Sequence, residues 1–361
     1  MTRGNPKTGV GRSESVRRHP DPLPVSVIIA AYDAQQFISE TLASVRAQTA
    51  RPAEIIVVDD GSSDQTACIA ESFGATVLRN RHGGPALARN TGIRAASCEW
   101  VAFLDADDLW LADKLEAQWS AVEACPGAGL VFTDFSQGIP GEIRVPSLLS
   151  WRRNYQQVLR HVRAPGVVSC DRQSLIQGFL EGNFILLSTA LVRRSLALEL
   201  GLFDPGIMGC EDRDFFLRVL HRSDTAVVER CLVHRRLHGG NLSEDPIRMA
   251  LSAAAVADRV FARPERYPPG AVAHYRIEQP AVLKQAGIRL LEQGRLAEAR
   301  RALGKSLRGH FSGRSLVAYV CALLGSPSLY RASRQLWRSL GQDRPSSPPP
   351  SAQEPTGRRS A

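Results

Sequence analysis

The sequence predicts an α/β fold, in which a mostly parallel sheet has helices on both faces and is followed by a smaller α-helical region. Between Val25 and Phe132, short apolar runs rich in β-branched residues alternate with segments of helical spacing. These runs are apolar on both faces, as expected of parallel strands covered by helices on each side. After Asn241 the composition becomes helical and rich in alanine. The 361 residues are enough for two or three domains with a sizeable core.

Strands and helices are expected to alternate along the first part of the chain. Strands are predicted over residues 25–31, 54–58, 75–78, 100–104 and 129–132, and helices over 35–48, 62–73, 85–96 and from about residue 112. Residues 138–175 are less regular and are expected to form an excursion or a flexible loop. Residues 283–307 predict two helices that meet near Gly294 and resemble one tetratricopeptide-type unit, which is too few for a solenoid.

The two ends of the chain and its cysteines indicate a cytoplasmic protein. Residues 1–24 lack the apolar stretch of a secretory signal and are expected to be disordered, as is the Pro-rich tail 341–361. No apolar run approaches the roughly 18–20 residues that a membrane-spanning helix needs. The seven cysteines are scattered and never spaced as CxxC, which favours reduced thiols over a disulfide framework or a zinc site.

The positive charge belongs to one C-terminal segment. Residues 281–340 hold eleven Lys and Arg against two Glu, which accounts for the whole net charge of +9. Within this basic region, predicted as helical over 246–340, the stretch 329–340 places Leu329, Ala332, Leu336, Trp337 and Leu340 on one helical face. That face is expected either to pack on the preceding helices, which we favour, or to lie on an anionic membrane. Nucleic-acid binding is disfavoured because no aromatic stacking platform accompanies the charge.

Two acidic clusters directly follow predicted strands. Asp59 and Asp60 lie in VVDDGSSD, and Asp105, Asp107 and Asp108 lie in WVAFLDADDLW. Ligands bind at the carboxyl ends of strands in such sheets. Turn formation and helix capping are the structural alternatives, but one aspartate is enough for a cap. Three carboxylates in four positions instead indicate a hard divalent cation with a substrate diphosphate.

Three further motifs have both a structural and a functional interpretation. GGPALARNTG (83–92) is a glycine turn before a helix, or it places Arg89 and Asn90 where they hold a neighbouring acidic loop. GCEDRDFF (209–216) reflects acidic bias at a helix start, or it supplies a carboxylate general base. HRRLHGGNLS (234–243) contains an ordinary solvated histidine, or a loop in which His238 closes on a phosphate or metal. Neither a GxGxxG fingerprint nor a P-loop pattern is present.

Taken in order, these motifs resemble the family 2 glycosyltransferases, which have the GT-A fold. The resemblance covers Val25 to Ser243 and includes VSVIIAAYDA at the first strand. It implies a nucleotide-sugar site at Ala30, Ala31, Tyr32, Asp59, Asp60, Arg89, Asp105 and Glu211. It also implies an Mn²⁺ or Mg²⁺ site at Asp107, Asp105 and His238, with Asp107 the more direct ligand and Asp105 nearer the ribose, and a catalytic base at Asp212.

The implied activity is inverting, metal-dependent transfer of a sugar from a nucleotide sugar, with UDP as the favoured nucleotide. The acceptor would be a hydroxyl of a glycan or lipid-linked molecule, in surface polysaccharide or glycoconjugate synthesis. The catalytic domain would span 25–245, with a nucleotide-sugar half (25–135) and an acceptor half (136–245). It would lie in the cytoplasm, with a peripheral contact at the inner face of the cell membrane as an open alternative. Rival hypotheses are a sugar-phosphate nucleotidyltransferase and a degenerate transferase fold that serves as a binding module.

Overall fold

A ten-stranded mixed sheet forms the centre of the protein. The computed structural model describes residues 21–139, 142–147, 167–169 and 171–339. The strands are β1 (Leu23–Ala31), β2 (Pro52–Asp59), β3 (Thr76–Arg79), β4 (Trp100–Asp105), β5 (Leu109–Trp110), β6 (Ala128–Ile139), β7 (Glu142–Val145), β8 (Val167–Ser169), β9 (Leu191–Arg193) and β10 (Asp224–Arg236). β1 begins inside the segment 1–24 that the sequence predicts to be disordered, and residues 1–20 and 340–361 lie outside the described residues.

The sheet combines a parallel half with an antiparallel insertion. Its order is β3-β2-β1-β4-β9-β6-β10-β5, with β7 beside β6 and β8 beside β10. β1 is parallel to β2 and β4, and β2 to β3, which confirms the predicted parallel arrangement of this half. β9 lies antiparallel between β4 and β6, and β10 runs parallel to β6. The sequence did not predict β9 or β10 as strands.

Helices cover both faces of the sheet, as predicted. They are α1 (Ile38–Arg46), α2 (Thr66–Ser72), α3 (Pro85–Ala95), α4 (Lys114–Ala124), α5 (Arg172–Glu181), α6 (Arg194–Glu199) and α7 (Glu211–Arg222), with a 3₁₀ turn at Leu187–Thr189. The face of β4 that carries Val101 and Phe103 packs with α3, α5 and α7. The other face, which carries Ala102 and Leu104, packs with α1 and α4. Alternation along one buried strand therefore supplies two cores.

The C-terminal region is helical and continues the first of these cores. It contains α8 (Pro246–Ala262), α9 (Ala271–Glu292), α10 (Leu296–Gly309), α11 (Gly313–Leu323) and α12 (Pro327–Ser339), with 3₁₀ turns at Leu242–Glu244 and Pro264–Arg266. Successive helices pack on one another, and α8 also packs on α7. The predicted junction near Gly294 is confirmed, because this glycine separates α9 from α10 with a φ of +76°.

Two other predictions concern the irregular segment and the membrane. Of residues 138–175, the stretch 148–166 lies outside the described residues, whereas β7, β8 and the start of α5 are regular. None of the helices in the described part of the chain is both long and apolar enough to span a bilayer. Six of the seven cysteines are described, and all six are free thiols.

Candidate active site

Three parallel strands end side by side at one edge of the sheet. In the register of β1 with its neighbours, Ala30 is opposite Asp105 on β4 and Ala31 is opposite Asp59 on β2. The residues that follow these strand ends therefore come together at one edge, as the sequence predicts. This edge contains most of the residues that the motifs single out.

The second acidic residue of VVDDGSSD supports a glycine turn. The buried Asp60 carboxylate accepts hydrogen bonds from the backbone N–H groups of Gly83 at 3.0 Å and Gly84 at 2.7 Å. Asp59 is also buried and accepts from the backbone N–H of Ser62 at 3.0 Å. Both carboxylates thus shape the loops at the strand ends, which is the structural interpretation of this motif.

Two exposed aromatic rings lie above this turn. Tyr32 follows β1, and His82 precedes the glycines. Their ring centroids are 4.3 Å apart, and the Tyr32 residue is 50% exposed. His82 Nδ1 also lies 3.4 Å from Oδ2 of Asp60. This pair presents flat, partly polar surface at the edge where a nucleotide base is expected, and His82 was not among the predicted site residues.

Arg89 joins two acidic motifs that are far apart in the sequence. From α3, its guanidinium donates to Asp105 Oδ1 at 2.8 Å and to Glu211 Oε1 at 2.5 Å. Arg89 and Glu211 are buried, and Asp105 is partly exposed. Asn90 forms a reciprocal pair of hydrogen bonds with the backbone of Phe203. The contacts of Arg89 agree with the prediction that it holds a neighbouring acidic loop, whereas Asn90 holds the backbone of Phe203 and no acidic loop.

Asp107 and His238 meet across the mouth of the same edge. His238 Nε2 lies 2.9 Å from Asp107 Oδ2, and both side chains are about one-quarter exposed. Asn241 donates to the same carboxylate oxygen at 3.2 Å and accepts from the backbone N–H of His238 at 2.7 Å. The His238 ring stacks on Phe37, with centroids 4.4 Å apart. Asn241 and Phe37 were not predicted, although Asn241 stands in the quoted HGGN run.

Arg236 holds the segment that carries Asp107 of this pair in place. Its buried guanidinium donates to Thr41 Oγ1 at 2.8 Å, to Glu40 Oε2 at 2.5 Å and to the backbone carbonyl of Asp107. It also lies over the Phe37 ring at 5.1 Å. One side chain on β10 therefore ties the start of α1 to the acidic loop, and nothing in the sequence distinguishes this arginine from Arg235.

Asp108 is a structural member of the acidic cluster. It is buried, accepts from Ser188 Oγ at 2.6 Å and lies 3.3 Å from the backbone nitrogen of Arg236, which donates to it. Burial and the charges of Asp107 and Asp105 raise the pKa of Asp108 well above its ordinary value. Ser188 Oγ in turn accepts from the backbone N–H of Asp105 at 3.1 Å. The three carboxylates therefore have different partners: Asp105 contacts Arg89, Asp107 contacts His238 and Asp108 contacts Ser188.

Asp212 is held at the start of α7 beside Glu211. Its half-buried carboxylate accepts from Asn183 Nδ2 at 3.1 Å and from the backbone N–H of Arg213 at 2.7 Å. Burial and the adjacent Glu211 raise the pKa of Asp212 to about 7. A carboxylate with a pKa in this range can accept a proton near neutral pH. Asn183 was not predicted as a site residue.

The side chains at this edge suit a divalent cation that takes its remaining ligands from the substrate. Across residues 21–139, 142–147, 167–169 and 171–339, no three His, Cys, Asp or Glu side chains are grouped so as to hold a metal ion. Asp105, predicted as a ligand, is paired with Arg89 and is not grouped with Asp107 and His238. The Asp107–His238 pair alone fits Mn²⁺ or Mg²⁺ that takes its remaining ligands from diphosphate oxygens and water.

Comparison with known proteins identifies the fold and its family. Residues 26–174 match the family described as "Glycosyl transferase family 2". This chain carries a family 2 glycosyltransferase domain. A UDP-Glc:alpha-D-GlcNAc-diphosphoundecaprenol beta-1,3-glucosyltransferase, WfgD of Escherichia coli, is 43% identical over 100 residues, which are 27% of this chain and 40% of that protein. A putative teichuronic acid biosynthesis glycosyltransferase, TuaG of Bacillus subtilis, is 40% identical over 100 residues, 26% of this chain and 40% of the relative. Each of these matches thus spans about two fifths of the relative's length.

Solved structures show that the family 2 domain has the GT-A fold. S. aureus TarS 1-349 in complex with UDP-GlcNAc superposes with a TM-score of 0.60 at 19% identity, over 88% of this chain and 92% of that one. The mannosyltransferase PcManGT from Pyrobaculum calidifontis, in complex with GDP-Man and Mn²⁺, gives 0.51 at 20% identity, over 90% and 87%. Because these superpositions cover 88% and 90% of this chain, the likeness extends beyond residues 26–174 into the helical C-terminal region.

Proposed function

We propose that the protein is an inverting glycosyltransferase that moves a sugar from a nucleoside diphosphate sugar to an acceptor hydroxyl. The observation that carries the proposal is the bridge made by Arg89. It connects Asp105, two residues from the Asp107–His238 pair, to Glu211, the neighbour of Asp212. A donor site and a proton acceptor are thereby supported at one sheet edge, as single-displacement transfer requires.

The donor would lie along the edge formed by β1, β2 and β4. Tyr32 and His82 offer ring surface to the base, beside Ala30, Ala31 and the loops held by Asp59 and Asp60. Asp105 retains one carboxylate oxygen that does not face Arg89 and is suited to a ribose hydroxyl. UDP is the favoured nucleotide, since WfgD is named for UDP-Glc and TarS binds UDP-GlcNAc.

Asp107 and His238 are proposed to hold a divalent cation against the diphosphate. When bound, Mn²⁺ or Mg²⁺ supplies positive charge that stabilises the departing nucleoside diphosphate. Asn241 and Phe37 orient the His238 ring, and Arg236 fixes the backbone of Asp107. These supporting contacts keep the two ligands at a fixed separation before the donor arrives.

Asp212 is proposed as the base. Its carboxylate takes the proton of the acceptor hydroxyl while that oxygen forms a bond to the anomeric carbon. The bond from this carbon to the diphosphate oxygen breaks on the opposite side, and the leaving group keeps the electron pair. Inversion follows from a single displacement. Asn183 and the backbone N–H of Arg213 position the carboxylate for this step.

The acceptor class and location complete the proposal. A glycan or lipid-linked acceptor, in synthesis of a surface polysaccharide or glycoconjugate, is supported by the names of WfgD and TuaG. The enzyme would be cytoplasmic and peripheral at the inner face of the cell membrane, where lipid-linked acceptors lie. The family 2 match and the presence of the Asp107–His238 pair together with Asp212 disfavour a nucleotidyltransferase or an inactive binding module.

The proposal is tested with a panel of nucleotide sugars. Purified protein is incubated with each donor and Mn²⁺ or Mg²⁺, with and without chelator, and release of nucleoside diphosphate is followed. One donor should be turned over, and chelator should abolish turnover.

Single substitutions then test the assigned roles. Asp107→Ala and Asp212→Asn should each lower donor turnover with acceptor by about 10²-fold or more, the usual scale for a lost electrostatic or general-base contribution. Asp224→Asn is the matched control, because this exposed aspartate begins β10 at the opposite edge of the sheet. Full activity of Asp212→Asn would refute the base, and chelator-resistant turnover would refute the metal role.

A further inference from the structure

An apolar stripe along α11 is left exposed by the described residues of the chain. Leu316, Val320, Leu323 and Leu324 are exposed at spacings of four, seven and eight residues, which places them on one face of the helix. Ser315, Ala318 and Ala322 form the buried face of the same helix. The stripe is therefore left over after α11 has packed on its neighbours.

The same surface continues onto α12 and the loop before α11. Leu329 is 51% exposed and Leu336 is 60% exposed, seven residues apart on one face of α12, while Tyr330 is buried. Phe311, just ahead of α11, is 70% exposed. For these two leucines the favoured sequence prediction, packing of their face on the preceding helices, is wrong. We call the exposed side chains of α11, α12 and Phe311 the C-terminal apolar face.

The chain segment that forms the C-terminal apolar face carries positive charge, and Glu292 on α9 pairs with one of its arginines, Arg334, at 3.0 Å. Between Glu298 and Asp343 the sequence contains eight Lys and Arg and no Asp or Glu. Arg308, at the end of α10, and Arg331, on α12, are exposed. A basic surface that also exposes leucine and phenylalanine matches an anionic bilayer, whose headgroups attract the arginines and whose acyl boundary takes the apolar side chains.

Other occupants fit less well. A second copy of the chain would use the same face in a two-fold dimer, which would bring the arginines of both copies together. The chain's own residues 341–361 contain no large apolar side chain with which to cover it. We propose that the C-terminal apolar face docks on an anionic membrane surface, with its leucines and Phe311 in the headgroup region and its arginines on lipid phosphates.

Membrane docking itself needs neither a sugar donor nor an acceptor. This inference therefore rests on the proposed function only where it concerns how the sheet edge is oriented above the membrane. The face belongs to helices that are continuous with the core of the catalytic domain through α8 to α10. A docked enzyme would therefore hold its sheet edge at a fixed height above the lipid. Binding and sugar transfer are separate measurements.

Vesicle co-sedimentation tests the inference. The full chain is mixed with phosphatidylcholine vesicles that contain about one quarter phosphatidylglycerol, and with phosphatidylcholine alone, at low and high salt. Binding to the anionic vesicles, weakened by salt, is expected. Leu323→Gln/Leu329→Gln/Leu336→Gln should weaken it at least about tenfold, since three leucines leave the interface. Arg308→Gln/Arg331→Gln should weaken binding to the anionic vesicles and should not change binding to vesicles of phosphatidylcholine alone.

Ile143→Gln is the matched control, because this side chain is 62% exposed on β7, in the sheet and outside the helical C-terminal region. It should bind like the unchanged chain, and donor turnover in solution should be retained by every variant. Absence of binding to anionic vesicles, or equal binding by the triple leucine variant, overturns the inference. A concentration-dependent dimer that the leucine substitutions disrupt, without vesicle binding, assigns the face to a second copy. Vesicle binding without turnover of any donor would refute the proposed function and leave this inference standing.

Discussion

Arg89 offsets part of the negative charge of the candidate site, because one guanidinium contacts two carboxylates from distant motifs. Its planar fork satisfies Asp105 and Glu211 at once, which a lysine ammonium does less well. Glu211 is thereby paired with a cation, whereas among the described residues its neighbour Asp212 accepts hydrogen bonds from an amide and a backbone N–H. At the scale of single residues, this unequal partnering separates a structural carboxylate from a proposed base.

The raised pKa of Asp212 predicts a pH dependence. A base acts only when deprotonated, so kcat/KM should fall as the pH drops through about 7, the value to which burial and Glu211 raise this group. Asn183→Ala removes a donor that stabilises the charged form, so the acidic limb should move to higher pH. Initial rates between about pH 5.5 and 8.5 measure both effects.

Gln177→Ala, which removes an amide that donates to Glu181 on the surface, should leave the profile unchanged. A profile that is flat below pH 7 would contradict the assignment.

The glycine turn before α3 shows how an element is positioned by its first residues. Gly84 has φ +89° and ψ 168°, a conformation that other residues rarely adopt, and its N–H bonds to buried Asp60. Pro85 then begins the helix, where its missing N–H costs nothing. The turn thus sets where α3 starts and where Arg89, on its second turn, reaches the acidic loops.

Gly84→Ala is therefore expected to affect both the stability of the protein and the binding of the donor. The forced backbone change should destabilise the protein by about 1–3 kcal/mol. It should also raise KM for the donor, because the Asp60 turn and the Tyr32–His82 pair share this segment. Thermal unfolding and donor titration measure the two effects. Gly313→Ala is the control: its Cβ meets nothing within 4 Å at the start of α11, so stability should change by less than about 0.5 kcal/mol. Equal effects of the two substitutions would argue against the turn's role.

At the scale of the whole molecule, a buried ion pair joins the C-terminal helices to helix α7, which packs on the sheet. Arg213, next to Asp212, donates to both oxygens of Glu278 on α9, at 2.9 and 3.0 Å. Although burial raises it, the hydrogen bond from His274 and the charge of Arg213 lower the pKa of Glu278 to about 2. This contribution to stability is complete above its ordinary value of 4.5 and is lost as the pH falls towards about 2.

Glu278→Ala should consequently destabilise the folded protein by about 3–5 kcal/mol at neutral pH, because Arg213 is left buried without its partner. Chemical denaturation measures the loss. The surface pair of Arg295 and Glu298 offers a matched control, in which Glu298→Ala should cost less than about 1 kcal/mol. A small effect of Glu278→Ala would mean that the helical region is not anchored through this pair.

Periodicity and turn chemistry determined much of this protein from the sequence. Apolar runs on both faces predicted the parallel strands β1 to β4, since such runs are stable only between two layers of helices. The acids that follow those runs predicted the edge where they meet, because parallel strands end together. Gly294 predicted a helix boundary for the same local reason.

Only the tertiary structure decided which partner each charged residue has. Nothing local shows that Arg89 spans Asp105 and Glu211, which are over one hundred positions apart, or that Arg236 differs from Arg235. Strand β10 carries polar and charged residues and was missed because its place in the sheet depends on pairing with β6. Whether the apolar face of α12 is covered also depends on how many helices remain to cover it. Local pattern specifies elements, but long-range contacts assign burial and charge pairing, and these set the chemistry of the site.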